Sequence, residues 1–254
     1  MKIDEVFRNT FKALRRQLGH DAGKDCRPMW QQRLSADSDF CRAAVACGYL
    51  TREQMQHAAA RYHLGRCRDG AVIYWQISPV GNIYDGKIMH YLPDCHRDHS
   101  RKPTWVSHLL KRQFLSRFPD MADCMPPSQH CLFGSHLLKP ETFNLKPETM
   151  TVCVVEAEKT AVILSEHFPD HLWLAAGGLS ELTADKLFPL RHHRITLFPD
   201  TDTELTAYSR WYAIAQEARR RYQLDITVSS LLELRTTEEQ KQRKIDLVDF
   251  LFNS

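Results

Sequence analysis

The chain has 254 residues, of which 43% are hydrophobic, and its formal net charge is +3 at pH 7. This length is enough to bury a hydrophobic core and to form one large or two small domains. The net charge is too small to indicate, by itself, an affinity for nucleic acid. No apolar stretch approaches the roughly 20 residues of a membrane helix, and the N-terminus lacks the apolar core of a secretory signal. We therefore expect a bacterial cytoplasmic protein without a membrane partner.

Helical periodicity dominates residues 1–66, which we assign to a helical N-terminal segment. Apolar residues beside arginines and lysines predict an amphipathic helix over 3–18, with a solvated basic face as the favoured interpretation and a nucleic-acid contact as the alternative. Two more helices are predicted near 38–47 and 51–62. Thr51 and Gln54 have the spacing of a capping box, which marks the start of the second of these helices.

From Ala71 the pattern becomes strand-like, and we assign residues 67–148 to a small α+β subdomain. Two β-rich runs, 71–78 and 83–91, flank a Pro-Val-Gly-Asn turn and predict a β-hairpin. A basic stretch over 96–103 follows the hairpin. Lys87 in the second strand, and Arg97, Arg101 and Lys102 in the loop, are candidates for binding phosphates. The alternative for these cations is an ordinary solvated surface loop.

The cysteines and histidines do not predict a zinc site. Eight cysteines form no Cys-x-x-Cys pair, so most are expected to be reduced and buried. His90, Cys95, His96 and His99 cluster in the chain, but no second ligand pair follows at the spacing of a structural zinc site.

Two short apolar runs, 152–155 and 195–198, carry the acidic residues of greatest interest. Neither run alternates with polar residues, which is typical of strands buried on both faces of a parallel sheet. The first run leads to Glu156, and the second leads to Asp200 and Asp202. Because ligands bind at the carboxyl ends of such strands, these side chains are expected to meet at one edge, where three carboxylates would need a cation. An Asp-x-Asp pair alone is a weak signal, since such residues also cap helices.

Alternating helices and strands fill the rest of 149–232. They comprise a helix to about 167, a strand over 172–175, a helix near 183–188, a long helix over 204–222 and a last strand over 225–228. Gly177 and Gly178 allow either tight strand-to-helix packing or a backbone approach to phosphate. Glu158 and Glu204 are supporting ligands or first-turn helix charges. Residues 233–254 form a C-terminal helical tail that packs back or binds a partner.

This arrangement resembles the TOPRIM domain, which bacterial-type DNA primases, topoisomerases and some nucleases share. In that domain a glutamate follows the first strand and an Asp-x-Asp pair follows a later one, as Glu156, Asp200 and Asp202 do here. The resemblance implies Mg²⁺ or Mn²⁺ held by the two aspartates. Glu156 is then a metal partner or a proton-transfer group.

The resemblance extends to the primase catalytic core over about 71–230, since 81–91, 97–102 and 132–138 precede Glu156 in the order found in primases. The sequence over 155–161 is also similar to the corresponding sequence in TOPRIM proteins of bacterial mobile elements. The implied fold class is α/β, with a TOPRIM-like parallel sheet flanked by helices. A primase-like basic α+β subdomain and a helical N-terminal segment precede that sheet.

The implied activity is a primase-like nucleotidyltransferase, which performs metal-dependent phosphoryl transfer on nucleic acid in DNA replication or mobile-element mobilisation. Glu156 and Lys87 are the implied catalytic residues, and Lys159 joins Lys87 and the basic loop in binding phosphates. The implied partners are single-stranded DNA, nucleoside triphosphates and a separate helicase or replication protein, because the chain has no Gly-x-x-x-x-Gly-Lys-Ser/Thr motif. A TOPRIM nuclease and a non-catalytic nucleic-acid-binding accessory protein are the alternatives.

Overall fold

The computed structural model describes residues 30–116, 118–119, 130–138 and 150–252. These residues form two four-stranded sheets. The antiparallel sheet has the order β1-β2-β3-β4, with β1 at Gly65–Arg66, β2 at Val72–Ile77, β3 at Ile83–Met89 and β4 at Thr104–Trp105. The parallel sheet has the order β6-β5-β7-β8, with β5 at Thr151–Val155, β6 at Leu172–Ala175, β7 at Arg194–Phe198 and β8 at Ile226–Val228.

The helices lie before, between and after these strands. Their bounds are α1 Asp39–Ala46, α2 Arg52–Arg61, α3 Val106–Leu115, α4 Glu158–His167, α5 Ala184–Leu187, α6 Thr206–Tyr222, α7 Leu231–Arg235, α8 Glu238–Gln242 and α9 Leu247–Phe252. The helix predicted over 3–18 lies outside the described residues. Within the described part of the chain, no helix combines the length and the apolar character that crossing a membrane requires.

The strand β5 is buried on both faces, as its unbroken apolar run predicts. Cys153 and Val155 pack into one hydrophobic core, and Val152 and Val154 pack into a second core on the other face of the sheet. Helix α6 covers the second core with the fully buried Trp211. The parallel sheet is therefore flanked by helices.

The N-terminal helices share the first of these cores. The capping box is confirmed, since the Thr51 amide donates to Gln54 Oε1 at 2.9 Å and the Gln54 amide donates to Thr51 Oγ1 at 3.2 Å. Phe40 from α1 is buried in the same core as Val155, and the Tyr62 hydroxyl donates to the carbonyl of Trp173 in β6 at 2.8 Å. The helical unit thus fixes one face of the parallel sheet.

Two segments bring distant parts of the chain to the parallel sheet. Residues 130–138 lie between the two sheets in the chain, and Phe133 exchanges two backbone hydrogen bonds with Ala175 of β6, at 2.9 and 3.1 Å. The C-terminal tail packs back through Ile245, Leu247 and Val248, which are all buried. Both segments bury apolar side chains that would otherwise face water.

The described cysteines are free thiols. Cys41, Cys95 and Cys153 are buried, Cys67 and Cys131 are partly buried, and Cys47 is exposed. Burial raises the pKa of the Cys95 and Cys153 thiols to about 12, so these two side chains stay protonated.

Candidate functional site

The strand register brings the ends of three parallel strands to one edge of the sheet. Val155 of β5 pairs with Ala175 of β6 on one side and with Phe198 of β7 on the other. The Gly177 amide continues this pairing by donating to the Glu156 carbonyl at 2.9 Å. Glu156 follows β5 directly, and Asp200 lies two residues beyond β7. The structure therefore places Glu156 and Asp200 at the same edge.

Glu156 and Asp200 repel each other in a poorly solvated place. Loss of water raises the pKa of Asp200 well above its ordinary value, and the charges of Glu156 and Asp246 raise it further. Loss of water also raises the pKa of Glu156, although the Leu179 amide and Lys87 oppose that rise. Pairs of carboxylates with perturbed pKa values in a cleft are typical of functional sites.

Asp202, the third predicted ligand, has a different environment. Its Oδ1 accepts hydrogen bonds from the amides of Glu204 and Thr206 at 2.9 and 3.0 Å, and its Oδ2 accepts one from the Ala207 amide at 2.9 Å. Burial raises the pKa of Asp202, but these amides outweigh burial and leave the pKa below its ordinary value. The carboxylate thus satisfies amides at the start of α6, which have no partner within the helix.

Lys87 joins the two sheets. Its Nζ lies 3.1 Å from Glu158 Oε2 and donates to the Gly177 carbonyl at 2.6 Å. Lys87 is 8% exposed and Glu158 is 1% exposed, so the pair is almost fully removed from water. The other oxygen, Glu158 Oε1, is buried and accepts no hydrogen bond from the described residues. A Cβ on Gly177 would lie 3.2 Å from this oxygen, at a positive φ of +92°.

Lys159 joins α4 to the C-terminal tail. Its Nζ lies 3.3 Å from Asp246 Oδ2 and 4.0 Å from Asp249 Oδ1. The Thr160 hydroxyl donates to the same Asp246 oxygen at 2.7 Å. Burial disfavours the charge of Lys159, but the two aspartates outweigh burial, so its pKa lies above its ordinary value. The tail thereby adds carboxylates beside the Glu156–Asp200 pair.

In the basic loop that follows β3, Arg101 contacts neighbouring side chains. Arg101 lies 3.8 Å from Asp98 and 3.9 Å from Asp69, and its guanidinium also contacts the His90 ring. Arg97 is partly buried, whereas Lys102 is exposed. Of these three cations, Arg101 is thus the one already occupied by carboxylates.

The match to a protein family covers more than half of the chain. A model described as "Domain of unknown function (DUF6371)" matches residues 43–201. The chain belongs to this family. None of the curated proteins matches the chain.

The DUF6371 chain is also similar to solved primase structures. "Structure of the DnaG primase catalytic domain bound to ssDNA" matches with 15% identity and a TM-score of 0.50, over 97% of this chain and 84% of that chain. The primase fragment of the bacteriophage T7 primase-helicase protein matches with 13% identity and a TM-score of 0.42, over 74% and 70% of the two chains. The Aquifex aeolicus primase matches with 12% identity and a TM-score of 0.43, over 88% of this chain and 64% of that chain.

The DnaG likeness shows the fold. The DUF6371 chain has a mixed α/β fold with a parallel sheet flanked by helices, which matches the fold of the primase catalytic core. The predicted fold class is confirmed.

Glu156 and Asp200 carry oxygen donors of the type that Mg²⁺ prefers. Among the described residues, no group of three or more His, Cys, Asp or Glu side chains is arranged to hold a metal ion. Mg²⁺, however, is usually bound by one or two carboxylates together with waters and substrate phosphates. Glu156 and Asp200 supply two such carboxylates with raised pKa values, and the orphaned Oε1 of Glu158 adds negative charge nearby. The same finding leaves His90, Cys95, His96 and His99 without a metal cluster in the described structure.

Sequence reasoning missed Asp246 and Asp249. The Asp249 amide donates to Asp246 Oδ1 at 2.9 Å and the Asp246 amide donates to Asp249 Oδ2 at 3.3 Å, a reciprocal arrangement that starts α9. An Asp three residues before another Asp, ahead of an apolar run, is a helix-start pattern visible in the sequence. Their approach to Lys159, however, depends on how the tail folds back.

Proposed function

We propose that this chain is a primase-like nucleotidyltransferase, which joins nucleotides from nucleoside triphosphates in a reaction that depends on a divalent cation. The observation that supports this proposal most is the Glu156–Asp200 pair, two mutually repelling carboxylates at the carboxyl edge of a parallel sheet. The primase-core fold supports the same activity. Such a site would act on nucleic acid bound at the basic surface beside it.

Glu156 and Asp200 would hold Mg²⁺ or Mn²⁺. A bound Mg²⁺ supplies Lewis-acid stabilisation of the negative charge that develops on a transferring phosphoryl group. If Glu156 does not bind the ion, it would instead take a proton from the attacking hydroxyl, because its pKa in the metal-free chain lies above its ordinary value. Asp202 orients the start of α6 and, as the family resemblance implies, would join the metal ligands only if its carboxylate left the helix amides.

Cations near the site would hold phosphates. Lys87 is bound to Glu158 and Gly177, so it would contact a triphosphate after exchanging one of these partners. Arg97 and Lys102 would contact the backbone of a single-stranded DNA template, and Arg101 would do so after release from its aspartates. We propose that a separate helicase or replication protein supplies template opening, in DNA replication or in the mobilisation of a mobile element.

The engaged state of the cations favours a second candidate, a TOPRIM nuclease. Lys87 and Arg101 both contact carboxylates, so no set of free cations for a triphosphate is preformed at these two positions. The same acidic pair would then promote hydrolysis of a phosphodiester, a reaction that needs the cation and a water but no triphosphate.

A single set of reactions separates the two candidates. The full chain is incubated with Mg²⁺ and labelled single-stranded DNA, with and without nucleoside triphosphates. Primer synthesis that falls about 100-fold or more in Asp200→Asn supports the nucleotidyltransferase, and cleavage without triphosphates that falls likewise supports the nuclease. Asp225→Asn is the matched control, because Asp225 is exposed and precedes β8 at the opposite edge of the sheet.

The absence of both reactions would contradict an enzymatic role. Retained binding of single-stranded DNA in that case would leave the non-catalytic accessory protein. Equal activity in Asp200→Asn and the unmodified chain would contradict the assignment of the site.

A further inference from the structure

Lys159 stands where a helix disfavours a cation. It is the second residue of α4, and the N-terminus of a helix carries partial positive charge that favours anions. The side chain is also only 11% exposed, so its ammonium group has lost most of its water. The helix dipole and the loss of water both disfavour a charged lysine at this position. The neighbouring carboxylates must therefore compensate for both costs.

The carboxylates around Lys159 are already satisfied by the protein. Asp246 Oδ2 accepts from the Thr160 hydroxyl and lies 3.3 Å from the ammonium, while Asp246 Oδ1 accepts from the Asp249 amide. Asp249 Oδ1 lies between Lys159 at 4.0 Å and His96 at 3.6 Å.

The charges therefore divide into two neighbouring groups. Asp246 and Asp249 lie around an ammonium ion that the chain supplies. Glu156 and Asp200 lie together at the ends of the neighbouring strands β5 and β7. In two-metal phosphoryl-transfer sites the cations lie about 3.5–4 Å apart and share carboxylates. Here the carboxylates next to the acidic pair already surround a cation that cannot dissociate.

We propose that Lys159 is a resident cation of this site, occupying with its ammonium group the place of a second divalent ion, so that the site takes one exchangeable divalent cation on Glu156 and Asp200. The inference deepens the proposed function and rests on it for the exchangeable ion. Lys159 is a positioning residue in this scheme: it holds Asp246 and Asp249 and contributes fixed positive charge. A purely structural lysine would anchor the tail without altering the number of ions bound.

The test counts Mn²⁺ ions per chain by electron paramagnetic resonance of free Mn²⁺, with Lys159→Met as the variant, since Met has similar length and no charge. We expect one ion for the unmodified chain and two for Lys159→Met, with the second lost again in the double variant Lys159→Met, Asp246→Asn. Lys186→Met is the matched control, because Lys186 is also a poorly exposed lysine paired with a carboxylate, Glu181 at 3.2 Å, and should leave the number at one.

Two ions in the unmodified chain, or an unchanged number in folded Lys159→Met, would overturn the inference. If the unmodified chain binds none, the proposed function fails, while a gained ion in Lys159→Met still supports the role of Lys159. Should Lys159→Met not fold, the spectrum of the unmodified chain saturated with Mn²⁺ decides: isolated ions support the inference, and a spin-coupled pair overturns it.

Discussion

Glu156 and Glu158 stand two residues apart in the chain but belong to different electrostatic regions. Glu158 is 1% exposed and pairs with Lys87, whose ammonium also holds the Gly177 carbonyl. Glu156 faces Asp200, and repulsion from that carboxylate and loss of water raise the pKa of the pair. The difference shows that the chain neutralises the carboxylate that joins its two sheets. It leaves the one at the strand end in mutual repulsion with Asp200, which a bound cation would relieve.

The aspartates after β7 repeat the contrast. Asp202 has three backbone amides on its carboxylate and a lowered pKa, whereas Asp200 has a pKa well above its ordinary value. In both cases the neutralised side chain stabilises structure, and its neighbour two positions away lies in the acidic pair. Variants that remove a neutralising partner or a repelling charge test whether the paired and the repelling carboxylates differ in this way.

Lys87→Met should have the largest effect on stability, because it removes the ammonium group that pairs with the buried Glu158 carboxylate. Glu158 would become a buried charge without its partner, and we expect the free energy of unfolding to fall by about 3–5 kcal/mol. The double variant Lys87→Met, Glu158→Gln should recover part of this loss. Urea unfolding measures both, and a loss below about 1 kcal/mol would mean that the pair behaves like an exposed one.

Asp202→Ala should cost less than Lys87→Met, because it removes the acceptor for the amides at the start of α6 and leaves no buried charge unpaired. We expect a loss of about 1–2 kcal/mol in the free energy of unfolding, against a few tenths for a substituent that still caps. Asp202→Asn is that control, since the Asn side-chain oxygen still accepts from the Glu204 and Thr206 amides and only the acceptor for the Ala207 amide is lost. Equal losses in the two variants, measured by urea unfolding, would show that charge rather than capping matters here.

Gly177→Ala should cost about 1–2 kcal/mol through its positive φ, plus a further loss from crowding. The added Cβ would lie 3.2 Å from Glu158 Oε1. Gly48→Ala provides the control for backbone strain alone, because Gly48 has a φ of +74° and no atom within 4 Å of its added Cβ. Thermal melts should show a larger loss of stability for Gly177→Ala than for Gly48→Ala. Identical losses would show that Glu158 does not crowd the added methyl group.

Asp200→Asn should have the smallest effect and the opposite sign, because it relieves repulsion. The raised pKa values of Glu156 and Asp200 mean that the folded chain holds protons which the unfolded chain releases above about pH 4. The free energy of unfolding of the metal-free chain therefore falls as pH rises from that point through the raised values. The stabilisation by Asp200→Asn should accordingly grow from pH 4 to pH 7.

This prediction is measured by thermal melts in a chelator. Each kcal/mol corresponds to about 2–4 °C in a chain of this size. Asp225→Asn should show no such pH-dependent gain, because Asp225 is exposed and its charge lies at the other edge of the sheet. A gain of equal size in both variants, or a gain that shrinks toward pH 7, would contradict the repulsion between Glu156 and Asp200.

Local patterns predicted the six described strands of three or more residues and several helix bounds, but not the two-residue strands β1 and β4 or helix α3. The run 152–155 became Thr151–Val155, Leu172–Ala175 matches its prediction, and α4 ends at His167 as expected. These elements follow from periodicity and burial within short windows, which a single sequence displays. The placement of Glu156 and Asp200 at one edge followed from the same rule, since both come just after apolar strands.

The partners of these carboxylates could not be predicted from local patterns. Lys87 and Glu158 are 71 positions apart, and Thr160 and Asp246 are 86 apart. Each contact depends on how two sheets, or the tail and α4, pack together. Asp202 was assigned with Asp200 because an Asp-x-Asp pair gives no sign of which carboxylate turns toward the helix amides.

The most direct test of the central claim is calorimetric titration of the full chain with Mg²⁺, comparing the unmodified protein with Glu156→Gln, Asp200→Asn and Asp202→Asn. If the Glu156–Asp200 pair is the cation site, the unmodified chain binds Mg²⁺, the first two variants lose binding, and Asp202→Asn retains most of it. Unchanged binding in Glu156→Gln and Asp200→Asn, or no binding by the unmodified chain with nucleic acid present or absent, would contradict the claim.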